Sequence, residues 1–170
     1  MITPPEATEY QSYYGRYISL VPGRDLAQTL ESQLGESLPT LRAIDEQKSL
    51  SRYAPGKWSI KEVLGHVIDA ERIFTCRALR FARRDPTPLP GFDQDPYVAA
   101  ANFDSRPWDD SITEFEHVRR STILFFRALA PEELLRSGTA SQSSITVRAL
   151  GYIIAGHELH HMAIIRDRYL

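Results

Sequence analysis

Val147-Arg148-Ala149-Leu150-Gly151-Tyr152-Ile153-Ile154-Ala155-Gly156-His157-Glu158-Leu159-His160-His161-Met162-Ala163-Ile164-Ile165-Arg166-Asp167-Arg168 carries the cleanest period in the chain. Val147, Leu150, Ile154, His157, His161, Ile164 and Arg168 follow one another at alternating steps of three and four, the seam of a single helical face. The spacing predicts a last helix over about 146–169. Its two seam histidines are displaced by about 6 Å along the axis and point the same way, near enough to share one ion.

Upstream of that helix, Ser137 to Ser144 reads as a polar linker. Before it, Ser111 and Glu114 have the spacing of a capping box, followed by Phe115, Val118, Thr122, Phe125 and Leu129 up to a stop at Pro131. Residues 85–108 hold five prolines and predict a long connection with at most one helical turn near Tyr97 to Asn102. Before that, Ser59 with Glu62 forms a second capping box, and Trp58 and Val63 occupy the staple positions. A helix from Ile60 to about Phe81 follows, with Val63, Val67, Ala70, Ile73 and Phe74 facing inward together with His66. Leu26, Leu30, Leu34, Leu38, Leu41 and Ile44 mark another helix over 25–47, with Asp25 as N-cap and Pro39 expected to kink or break it. Residues 1–23, with Tyr10, Tyr13, Tyr14 and Tyr17 and the Pro22-Gly23 turn, read as an N-terminal strap ahead of one domain over 24–170. Four long amphipathic helices without convincing strands predict an all-α four-helix bundle, with a long crossover loop between the second and third.

The chain has 170 residues and is 42% hydrophobic, enough for one buried core. Twenty basic against 22 acidic residues give a net charge near −2, which argues against nucleic acid as a partner. No apolar run reaches the roughly 18 residues that span a bilayer, and the start has no signal-peptide pattern, so a cytoplasmic protein without a membrane partner is expected. One cysteine, Cys76, excludes an internal disulfide and a cysteine-based zinc cluster.

His157-Glu158-Leu159-His160-His161 also spells the zinc-protease signature, with Glu158 where a general base would stand. A protease would take its third ligand downstream, and the one acidic candidate there, Asp167, lies about 240° round the helix and about 9 Å further on. His66 is the better third ligand, because it interrupts an inward apolar face just as His157 and His161 do. Three histidines on two facing helices leave coordination positions open, the property of catalytic sites. His160 is expected at the seam edge, His117 in solvent, and Cys76 as a small buried side chain. Arg77, Arg80, Arg83 and Arg84 read as a solvated face. Asp69, one turn after His66, and Glu158 are the weak catalytic candidates. Asp69 reads equally well as a surface carboxylate paired with Arg72 or Lys61, and Glu158 as a surface group or one behind the ligands. Gly91-Phe92-Asp93-Gln94-Asp95, with Tyr97 and Asn102, has the composition of a lid.

Gly56-Lys57-Trp58-Ser59-Ile60-Lys61-Glu62-Val63-Leu64-Gly65-His66-Val67-Ile68-Asp69, Pro90-Gly91-Phe92-Asp93-Gln94-Asp95 and Ala155-Gly156-His157-Glu158-Leu159-His160-His161 together resemble the DinB/YfiT-like superfamily of metalloenzymes over about residues 25–170. The resemblance implies an up-down-down-up bundle whose metal is held by His66, His157 and His161. It also implies a homodimer and zinc or nickel, with iron, manganese or copper as further candidates. The reaction it implies on a small-molecule substrate is either hydrolysis by an activated water or transfer of a low-molecular-weight thiol. A non-catalytic metal-binding or interaction module is the alternative, and the zinc protease a remote one.

Overall fold

In the computed structural model, residues 1–22 and 25–170 are described. Four long helices make the body: α1 (Leu26–Arg42), α2 (Ile60–Ala82), α3 (Trp108–Arg127) and α4 (Val147–Ile164). Both α1 and α2 pack against α3 and α4, so α1 and α2 occupy opposite corners of the ring. Although consecutive in the chain, α1 and α2 are thus not neighbours, and the connection between them has to cross an end of the bundle.

Local chemistry sets most helix starts. Ser59 Oγ accepts from the Glu62 amide at 3.0 Å and the Glu62 carboxylate accepts from the Ser59 amide at 2.7 Å, satisfying two free donors at the head of α2. Asp25 caps α1 through the Ala27 amide, and Thr146 caps α4 through Ala149. Pro39 does not break α1, which runs on to Arg42. Both Pro39 and Gly35 are exposed, so the carbonyl deprived of its partner can meet water. The expected extension to residue 47 is replaced by a separate turn, Glu46–Ser49, capped by Asp45.

Three further expectations are corrected. Helix α3 begins at Trp108 rather than after Ser111, because Pro107 presets the N-cap and the buried Trp108 anchors the first turn. Ser111 is buried there, and Glu114 pairs with Arg72 and Arg106 instead of closing a capping box. The polar linker is a β-hairpin, β1 (Ser137–Ala140) with β2 (Ser143–Thr146), turning through Ser141 and Gln142 with φ of 50° and 63°. The connection after α2 contains a helix of eight residues, Gln94–Ala101, longer than one turn, ended by Asn102 in the left-handed region. The Pro22-Gly23 turn falls partly outside the described residues.

Apolar packing divides into two clusters. Leu26, Leu30, Phe74, Phe81, Phe126, Leu150 and Ile154 belong to one, and Leu34, Leu38, Val63, Leu64, Phe115, Met162 and Ile165 to the other. Every long helix passes from one cluster to the other, and one group of buried polar side chains falls near the crossings: Gln33 and Ser37, His66 and Glu71, Arg119, and His157 with Glu158 and His161. The N-terminal strap lies on α4, where Ile2 and Ile18 join the first cluster and the Tyr152 hydroxyl donates to the Ile2 carbonyl at 2.9 Å.

Candidate metal centre

The histidines of α2 and α4 meet at the polar layer. His66 Nε2 lies 3.0 Å from His157 Nε2, and His161 Nε2 lies 3.1 Å from the same atom. All three rings are buried, and their ligand atoms lie within 4.8 Å of one another. At most one of these two contacts can be a full hydrogen bond. His157 Nε2 faces two other ring nitrogens, yet a neutral imidazole nitrogen offers either one proton or one lone pair. Three lone pairs aimed at a common point suit a cation, so these residues fit a divalent ion.

The protonation states agree with that geometry. Burial pushes His66 down to about 4, and burial followed by the proximity of the other histidines pushes His161 down to about 3 and His157 well below its ordinary value. Neutral rings are the form that can ligate a metal. Neighbouring rings fix their orientation: Trp58 packs on His66 with centroids 5.1 Å apart, and Tyr17 sits edge-on to His157 at 5.3 Å.

Two glycines permit this approach. A Cβ at Gly156 would overlap the backbone carbonyl of Tyr17, so the strap can cross α4 beside His157 only over a glycine. A Cβ at Gly65 would enter the ring of Phe103, and its absence lets the segment after Gln94–Ala101 settle onto α2 beside His66.

Two cavities flank the cluster. One, of about 380 Å³, opens onto His66 and His157 and is lined by aromatic rings with Asp93, Gln94 and Asp95. The other, of about 300 Å³, reaches His161 between Trp58 and Tyr169 and shares Gln94 and Asp95. The segment with lid composition therefore forms the rim between two openings.

The remaining candidates are placed elsewhere. Glu158 is 1% exposed, which overturns its reading as a surface group. Its carboxylate accepts from Ser37 Oγ and from the Arg119 guanidinium, both at 2.6 Å. Arg119 in turn holds Glu71, and its side chain also donates to Gln33, so all four long helices contribute to one buried network. Burial alone would lower the Arg119 pKa, but the Glu158 and Glu71 carboxylates outweigh it and raise the guanidinium further. Asp69 is half-buried, which raises its pKa, and stands 4.0 Å from Arg72; it lines neither cavity. Lys61, its other expected partner, is buried against Glu46 and the carbonyls of Asp104 and Arg106. His160 is half-buried beside Tyr17 and His161, and His117 is exposed. Cys76 is exposed rather than buried, since it falls off the inward face of α2. Arg77 leaves the expected solvated face and is buried, donating to the Pro90 carbonyl at 2.7 Å. Tyr14, Tyr17, Phe74 and Trp58 line or support the site and were not singled out from sequence for it, although the tyrosine-rich strap and the staple position of Trp58 were visible.

The family model of the DinB superfamily matches residues 29–165. Among solved structures, YfiT from Bacillus subtilis, described as a probable metal-dependent hydrolase with an unusual four-helix bundle topology, superposes with a TM-score of 0.71 at 16% identity. The alignment covers 96% of this chain and 89% of that one. No curated protein matches the chain. No helix among the described residues is long and apolar enough to cross a membrane.

Proposed function

Since the chain belongs to the DinB superfamily, we propose that it is a metal-dependent enzyme acting on a small molecule, with one divalent ion held by His66, His157 and His161. The observation that carries this reading is the convergence of three buried Nε2 atoms, where no choice of tautomers makes both short contacts full hydrogen bonds, beneath an open cavity. Bound there, the ion would supply Lewis acidity that makes a water or a thiol nucleophilic near neutral pH. The chain's own part is to keep the rings neutral by burial and to lock them with Trp58 and Tyr17. Phe74 and Phe92 line the cavity above them. Glu158 plays no base role in this scheme, because Arg119 and Ser37 occupy its carboxylate on the far side of α4's seam. Imidazole ligands suit zinc or nickel.

Hydrolysis is the leading reaction. Transfer of a low-molecular-weight thiol is the second reading, favoured by the two cavities that meet at the cluster and could each take one reactant. We also infer an up-down-down-up course for the helices. Its support is that α1 and α4 lead from the apolar cluster of Leu26 to that of Leu38, while α2 and α3 lead the other way.

The test is elemental analysis of protein purified without a histidine tag, followed by esters and amides screened beside thiol and electrophile pairs. One equivalent of metal and turnover in either panel support the reading. Absence of stoichiometric metal, together with His66→Ala and His161→Ala variants unchanged in metal uptake and stability, leaves a non-catalytic interaction module.

A further inference from the structure

The cavity above His66 and His157 combines aromatic walls with an acidic and polar rim. Tyr14, Tyr17, Phe74 and Phe92 line it, and the charged side chains in its lining are the carboxylates of Asp93 and Asp95. No lysine or arginine is among its described lining residues. An anionic substrate would call for those residues, above all for arginine's paired donors.

The rings form corners rather than a flat stack. Tyr14 meets Phe74 at 87° with centroids 6.3 Å apart, and Phe74 meets Phe92 at 68° at the same distance. Aromatic faces carry partial negative charge and attract cations, most strongly where water is displaced. Rings of this group already act so within the protein: the Arg16 guanidinium lies 4.7 Å from the Tyr17 centroid, and that of Arg77 5.8 Å from those of Phe74 and Phe92. Neither arginine is itself a lining residue, but both bond to the lining: Arg16 to the Tyr13 and Tyr17 hydroxyls, and Arg77 to Ser141 Oγ at 3.4 Å as well as to the Pro90 carbonyl, so Asp93 and Asp95 also balance these two charges.

We propose that this cavity receives an organic cation, an ammonium or quaternary ammonium group, held against Tyr14, Tyr17, Phe74 and Phe92 with Asp93 and Asp95 as its counter-charge. The placement of the reacting end of that molecule over the histidines rests on the metal-dependent reading above. A divalent ion there would repel a cation, and the two carboxylates on the rim oppose that repulsion in part. A bare aromatic box would lack this compensation.

Choline and 3,3-dimethyl-1-butanol have nearly the same shape and differ by the positive charge, so calorimetric titration of each into the zinc-loaded protein isolates the term in question. Choline is expected to bind at least tenfold more tightly. An Asp93→Asn, Asp95→Asn double variant should remove most of that preference while keeping the helix cap, since asparagine caps as well as aspartate. Equal binding of the two probes, no binding of choline, or a preference untouched by the double variant overturns the proposal. Zinc content measured on the same sample keeps the two readings apart. Stoichiometric zinc without a choline preference defeats the cation site alone. Absence of zinc defeats the metal reading, and the titration on that zinc-free protein then decides the cage by itself.

Discussion

The Nε2 atoms of His66 and His157 lie 3.0 Å apart although 91 residues separate them in the chain. No local element enforces that proximity; the packing of α2 on α4 does. Replacing either residue, or His161, with alanine is expected to lower metal affinity at least about 100-fold, beyond what loss of a supporting group produces. Elemental analysis and competition with a chromophoric chelator read this directly.

Acid should weaken the metal-free protein in a defined window. The folded state holds His66 near 4 and His161 near 3 against an ordinary 6.5, so the unfolded chain binds protons that the folded one refuses. Stability from these rings is complete above pH 6.5 and is lost as pH falls toward 4 and then 3. For His66 alone the window is worth about 3 kcal/mol. Urea unfolding of metal-free protein at pH 7.5 and 4.5 should show a loss of at least that size, and a His66→Asn variant should reduce it by the His66 share while His161 and His157 keep the rest.

Arg119→Met is expected to destabilise the fold by about 3–5 kcal/mol, because it strands the buried carboxylates of Glu71 and Glu158 without their partner. Ser37→Ala removes one hydrogen bond to Glu158 and should cost about 1–3 kcal/mol. Were Glu158 a protease-type base instead, Glu158→Gln would abolish turnover with stability unchanged. Here stability is the quantity that moves, as paired denaturation and activity curves will show.

Gly156→Ala should lift the strap from α4, since the new methyl group meets the backbone carbonyl of Tyr17. Overpacking of this kind costs about 1–3 kcal/mol. Faster amide hydrogen exchange over residues 1–22, with α1 to α4 unchanged, is the expected signature.

Much of this was legible in the residues themselves. The capping box at Ser59 and Glu62, the seam through His157 and His161, and the inward place of His66 all follow from local spacing, and each appears in the structure. The hairpin at 137–146 escaped because its turn uses Ser141 and Gln142 in left-handed conformations, where asparagine or glycine is the usual signal. The start of α3 escaped because Pro107 with a buried tryptophan competes with the more familiar Ser111 and Glu114 pattern. The surface reading of Glu158 failed for a different reason. A carboxylate is assigned to the surface unless its partner is known, and Arg119, the partner, lies 39 residues away on another helix.

The corner arrangement of the bundle, with α1 and α2 across a diagonal and α2 against α4, also fixes an order in time. A chain made from its N-terminus presents His66 long before His157 and His161 exist, and a lone imidazole on an unfinished bundle is a poor chelator. An ion held as proposed would thus be captured late, once the last long helix has docked, as a clasp on the finished fold rather than as a nucleus for it.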